Sequence, residues 1–288
     1  MSIFLRWFAI IGVLSGVIAL GGCSAVRLGY NNAPDLTYWW MDGYLDFDSA
    51  QAQRLRADLQ DLQDWHRKEE LPAYAELLNT LQPLAGQQVS AEQICALYGN
   101  IEARLLVTAD RMMPTAVAVV QTLKPEQLVH LSKAWDKRNQ EWREDWLDGT
   151  PAERAKYRLK KLVERAESFY GRIQGPQVAQ LSSLLDNSGF DAATQYRETL
   201  RRQQDIVQTL KSARGGNDVL VQTELRALLA RSLHSPDAAL RQYQDRLRLQ
   251  SCATIAALHS TATPAQRSKL AQTLKNYEGD ARALFAQR

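Results

Sequence analysis

Helix-start signals recur along this chain, and between them apolar residues return every three or four positions. Ser90-Ala-Glu-Gln93, Thr150-Pro-Ala-Glu153 and Thr263-Pro-Ala-Gln266 each set a hydroxyl cap three residues before an acid or amide. That arrangement satisfies two backbone donors that a helix start otherwise leaves unbonded. In the last two, proline holds the first helical position, where its missing N–H costs nothing. Ser235-Pro236 repeats the cap-plus-proline part, and Gly149, Gly175 before Pro176, Gly189 and Gly215-Gly216 supply stops. Alternating strand patterns of useful length are missing. The expected fold is therefore all-α, an elongated or bundle-like array of about ten helices with short, antiparallel-favouring connections. Their expected spans are 49–67, 71–83, 90–121 (bent or broken at Pro114), 125–148, 151–173, 177–187, 191–213, 218–232, 236–260 and 264–286. Ser90-Ala-Glu-Gln93, Lys124-Pro-Glu-Gln127, Gly175-Pro-Gln177 and Thr263-Pro-Ala-Gln266 share a flavour but no period, so no solenoid is expected.

The N-terminus has a different character. Arg6 precedes an apolar run from Trp7 to Leu20, and Gly21 and Gly22 then stand directly before Cys23. The run is short for a membrane-spanning helix and has the anatomy of a secretory signal. It resembles the lipobox of bacterial lipoproteins. The resemblance implies a signal peptide of residues 1–22 that is removed and a Cys23 that becomes the acylated N-terminus. Ser24, in place of an aspartate, favours outer-membrane sorting under the rule of enteric lipoproteins. The expected organisation is a signal over 1–22, a lipidated aromatic-rich segment over 23–48 and an all-helical periplasmic domain over 49–288.

Of the 288 residues, 45% are hydrophobic and 23% charged, an ordinary globular balance. Lys and Arg number 35 against 32 acids. Removing Arg6 with the signal leaves a nearly neutral chain, which argues against a nucleic-acid partner, since that needs a clustered basic face. Three cysteines less Cys23 leave Cys95 and Cys252, an even pair in an oxidising compartment, and a disulfide between them is expected. The alternative is two separate buried thiols. Ile94, Leu97, Ile101 and Leu105, flanked by Cys95 and Tyr98, form one helix face read as buried. Leu240, Tyr243, Leu247, Ile255 and Leu258 do the same beside Cys252.

Several features are candidates for binding. Tyr30, Tyr38, Trp39, Trp40, Tyr44 and Phe47 crowd the segment after Cys23, in a stretch that Asn31, Asn32 and Pro34 suggest is irregular before any helix. Tyr38, Trp39 and Trp40 are candidate membrane-proximal aromatics, with packing onto the helical body as the alternative. Trp135, Trp142 and Trp146 share one side of a helix and are a candidate binding face, with core packing the commoner outcome for such a stripe. Glu141, Glu144, Asp145 and Asp148 face a basic following helix, which an antiparallel hairpin with cross-helix charge pairs explains. The four histidines show no metal-ligand spacing, and His66 with Glu69 and Glu70 reads as surface. No phosphate loop or nucleophile elbow occurs, so no cofactor, no catalytic residue and no enzymatic activity is expected.

Two family resemblances follow. Tyr44-Leu-Asp-Phe-Asp-Ser-Ala-Gln51, Trp65 to Pro72, Tyr74, the Tyr30-Asn31-Asn32 segment and Thr263-Pro-Ala-Gln-Arg267 resemble an uncharacterised family of Gram-negative lipoproteins, a domain of unknown function. That resemblance implies an envelope location and lipid attachment, and no catalytic residue or ligand. Thr263-Pro-Ala-Gln266 and, more loosely, Leu123-Lys-Pro-Glu-Gln127 resemble the Leu-Thr-x-x-Gln motif of a small helical periplasmic chaperone and stress-sensor family. Ala262 and Lys124 depart from it, and the chain is about twice as long. The expected role is a non-enzymatic binding or scaffolding accessory of the cell envelope with a protein partner. A membrane-tethered chaperone or envelope-stress factor is the alternative.

Overall fold

The structure is a computed structural model that describes residues 25–287; the signal and Cys23 lie outside the described residues. Within them the protein is all α. In chain order the helices are α1 Ala25–Asn31, α2 Ala33–Leu45, α3 Ser49–Trp65, α4 Leu71–Leu81, α5 Ala91–Thr122 and α6 Pro125–Trp146. They continue as α7 Pro151–Tyr170, α8 Gly175–Asp186, α9 Ala192–Ala213, α10 Asp218–Leu233, α11 Ala238–Ser260 and α12 Pro264–Phe285.

The helices and their connections differ from expectation in five places. Residues 25–45 are helical rather than irregular, because Pro34 falls in the first turn of α2, where proline is harmless. α3 and α4 do not break apart: one π turn over His66–Glu70 joins them, and the Leu71 amide bonds back to the His66 carbonyl. α5 continues unbroken through Pro114. α7 ends at Gly171, whose φ of 72° only glycine adopts readily, while Gly175 begins α8. α11 likewise starts from Asp237, not Ser235: the Asp237 carboxylate accepts from the Ala239 and Leu240 amides.

Four helix starts are joined in two pairs, and this organises the fold. Gln51 and Gln127 lie at the third positions of α3 and α6. The Gln51 Nε2 donates to Gln127 Oε1 at 3.2 Å, and the Gln127 Nε2 donates back to Gln51 Oε1 at 2.8 Å. Each oxygen also accepts its own N-cap amide, from Asp48 and Lys124. Each amide nitrogen donates again, Gln51 to the Thr122 carbonyl and Gln127 to that of Asp46. Gln177 and Gln266, at the starts of α8 and α12, repeat the arrangement at 2.8 and 2.9 Å. There the carbonyls are those of Thr261 and Arg172. All four carbonyls belong to the residue five positions before the opposing glutamine. All four glutamines are buried, at 5–6% exposure.

The surrounding apolar positions also match. Four residues before each glutamine stand Phe47, Leu123, Ile173 and Ala262, all buried. Four residues after stand Leu55, Leu131 and Leu181, buried, and Leu270, partly buried. α2 packs on both α3 and α6, as α7 packs on both α8 and α12. One hydrophobic core forms around each pair. Tyr38, Phe47, Leu55, Val120, Leu123 and Leu131 belong to the first, and Tyr170, Ile173, Leu181, Leu258 and Ala262 to the second.

The two units are interlocked. α12 lies along α4 and reaches α1, while α5 packs against α10 and α11. Cys95 of α5 and Cys252 of α11 form a disulfide, with Cα atoms 5.5 Å apart, and Cys252 is fully buried. Two turns along α11 from Cys252, buried His259 bonds through Nε2 to the Gln87 carbonyl at 2.8 Å and through Nδ1 to the Tyr170 hydroxyl at 2.9 Å.

Replacing Gln127 with leucine strands buried backbone and amide groups and is expected to cost about 2–3 kcal/mol in urea unfolding. Because Gln51 and Gln127 act on each other, the double leucine variant should cost less than the sum of the two single ones. Reduction of Cys95–Cys252, which closes a separation of 157 residues, should lower stability by up to about 5 kcal/mol in the chain-entropy limit. Thermal unfolding with and without reductant measures it.

Candidate functional site

The apolar faces that the structure exposes are not all those the sequence suggests. Trp135, Trp142 and Trp146 are turned inward. Trp135 packs against the first core. Trp142 is stacked between Trp146, at 6.2 Å and 12°, and Tyr196 of α9, at 5.6 Å and 11°. Trp146 meets the edge of Tyr157 of α7 at 5.1 Å and also packs near Phe190. The stripe is thus an aromatic joint among α6, α7 and α9, not an open binding face. Apolar area of that size gains more from neighbouring helices than from exposure to water. The acidic and basic helices around this joint do not pair across it in the way expected. Their ion pairs run along one chain segment, as in Arg138–Glu141, Arg143–Asp148 and Lys161–Glu164, and the bond that crosses is from the Tyr157 hydroxyl to Asp145.

The N-terminal aromatics divide. Tyr38 is a core residue rather than a membrane-proximal one: it packs against Phe47, and the Arg56 guanidinium lies 3.6 Å over its ring. Trp39 and Trp40 follow it round the helix by 100° and 200° and so point away, at 60% and 63% exposed.

The face of α5 read as buried is largely open. Its first half carries Ile94, Leu97, Tyr98, Ile101 and Leu105 along one side, and of these Tyr98, Ile101 and Leu105 are 42%, 41% and 59% exposed. The helix has 32 residues, about 48 Å of length at 1.5 Å per residue. Its second half supplies Met113, Val117 and Val120 to the interior. The helix packs against α11, to which the disulfide at Cys95 ties it, and Arg104 pairs with Glu70; past the midpoint Asp110 pairs with Arg226. Apolar spacing reports a face but not whether another element covers it, which is why the sequence misreads this one.

His66 sits in the π turn and hydrogen-bonds through Nδ1 to the Tyr30 hydroxyl at 3.1 Å, with Tyr74 stacked on its ring. Glu70 is buried and Glu69 exposed, so the three side chains do not converge. Among the described residues no group of three His, Cys, Asp or Glu side chains is placed to hold a metal. Open hollows among the described residues include one of about 640 Å³ beside Asn217–Leu220 and one of about 500 Å³ between the starts of α9 and α11. Glu198 lines the second. Burial opposes its charge, but hydrogen bonds from Arg201 and Arg202 outweigh this and hold its carboxyl below the usual range. A carboxylate so held is an ionised structural anchor rather than a proton donor. No described helix is long and apolar enough to cross a membrane.

A family model described as a family of unknown function, DUF6279, matches residues 43–239. The chain belongs to that family. No curated protein and no solved structure matches it. The DUF6279 match takes in the Gln51–Gln127 pair, the open face of α5 and the tryptophan joint. It also takes in Tyr44 to Gln51 and Trp65 to Tyr74, which carry the family resemblance. Tyr30 to Asn32 and Thr263 to Arg267, which resemble the same family, lie beyond the match, as do Trp39 and Trp40.

Burial lowers the pKa of His259 and of His66, so both favour the neutral form when folded. The unfolded chain, with histidine near pH 6.5, then binds more protons than the folded one below that pH. Unfolding free energy should therefore fall as pH drops from about 7 to 5. His259→Gln should flatten that slope in denaturant titrations, and an unchanged slope would exclude His259 as its source.

Proposed function

We propose that this protein is an outer-membrane-anchored periplasmic lipoprotein, held by acylated Cys23, that acts by binding another envelope protein rather than by catalysis. The observation that carries the reading is the open apolar side of α5. Tyr98, Ile101 and Leu105 lie one above another on a helix fixed by the disulfide and by the core. Large apolar side chains grouped on an exposed, rigid element are the mark of a docking surface. The occupant that fits is an apolar helical segment of a protein partner, since the side is a stripe of helical spacing and not an enclosed pocket. Charge at its margins is already neutralised within the fold, Arg104 by Glu70 and Asp110 by Arg226.

A second reading rests on the partial resemblance to the Leu-Thr-x-x-Gln family. The motif that resembles the Leu-Thr-x-x-Gln family is not an isolated helix cap here: Gln127 and Gln266 each belong to a reciprocal buried pair. That reading is a tethered chaperone, for which the same side of α5 would receive exposed apolar segments of many clients.

One experiment separates the two. The full chain is cross-linked in cells and purified as wild type, as Ile101→Asp/Leu105→Asp and as the control Val219→Asp on α10. The accessory reading expects one dominant adduct that the double variant loses by tenfold or more and the control keeps, with thermal midpoints unchanged. The chaperone reading expects a spread of adducts, lost together with suppression of aggregation of an unfolded test protein. An adduct pattern that the double variant leaves intact would contradict both.

A further inference from the structure

We infer that α2 rests on the membrane surface through Leu36, Trp39 and Trp40, a second attachment beside the acyl anchor. The inference rests on the reading of Cys23 as the acylated residue. Leu36, Trp39 and Trp40 stand at i, i+3 and i+4 on one side of α2 and are 50–63% exposed, while Tyr38 on the other side enters the core. The helix is fixed against α3 and α6, so this side has a set direction. Leu28 on α1 is exposed as well, between the stripe and Cys23.

Two arguments select a lipid surface as the occupant. The first is position: Leu28 is five residues from Cys23, at most about 18 Å of extended chain. An acyl-anchored Cys23 therefore holds α1 and α2 within reach of the headgroups. The second is chemistry. Paired tryptophans beside leucine form an amphipathic surface suited to the headgroup zone, where the rings sit at the boundary and the indole N–H remains hydrated. The two acids of α2 are each engaged by a neighbour, which lessens their opposition to an anionic lipid surface. Asp35 pairs with Arg56 at 2.6 Å, and Asp42 accepts the Phe47 amide at 3.0 Å.

The test uses the full lipidated chain in phosphatidylethanolamine and phosphatidylglycerol vesicles that contain lipids brominated near the headgroup end of the acyl chain. Trp39 and Trp40 are two of the six tryptophans after Cys23. Wild type should therefore lose about a third of its emission to bromine, and Trp39→Phe/Trp40→Phe should lose almost none. The mass of the N-terminal peptide is measured on the same sample. An acylated peptide with no quenching would overturn the seating and leave the anchor standing. A peptide without acyl mass would overturn the anchor and the seating with it.

Discussion

A buried glutamine must find partners for both lone pairs of its oxygen and both protons of its nitrogen, or it costs about 1–3 kcal/mol for each group left unmet. In this protein a second glutamine meets part of that need, and the rest is met by backbone groups at fixed offsets. Each pair therefore specifies more than a contact. It brings two helix N-termini side by side, sets the register of both, and commits the residues before each helix to a single path. Two N-termini carry like partial charges. The side-chain oxygens that accept the N-cap amides, and the Asp48–Lys124 ion pair across the first pair, offset that repulsion. Once the starts are fixed, the leucine one turn into each helix is delivered to a core.

The helical class, most helix spans and the Cys95–Cys252 bond are legible in the sequence, since caps, apolar spacing and compartment chemistry are local or countable. The pairing of the caps is not. Ser90-Ala-Glu-Gln93 has the same form as Thr263-Pro-Ala-Gln266, yet Gln93 is exposed and bonds only at its own helix start, whereas Gln266 is buried against Gln177. The difference lies in what the rest of the chain brings opposite. A search for a repeat misses the pairs for the same reason: 76 residues separate one pair and 89 the other. The regularity is an offset of four and five around each glutamine, not a distance between them.

The candidate surfaces show the same limit from the other side. The tryptophans of α6 and the stripe of α5 both read as apolar faces at helical spacing. One is half-buried because α7 and α9 bring Tyr157 and Tyr196 to it; the other leaves Tyr98, Ile101 and Leu105 exposed although its helix packs against α11. Trp39 and Trp40 differ from Tyr38 only by their angle around α2. Burial of a face is a tertiary property, and a single helix does not encode it.

The proposed role of the open side of α5 is contact with another protein. It is tested most directly by placing a photo-reactive amino acid at Leu105, and at exposed Lys160 on α7 as control, in cells that express the full chain. Adducts are expected from position 105 on illumination and none from position 160. Equal labelling from both positions, or none from 105, would contradict that role.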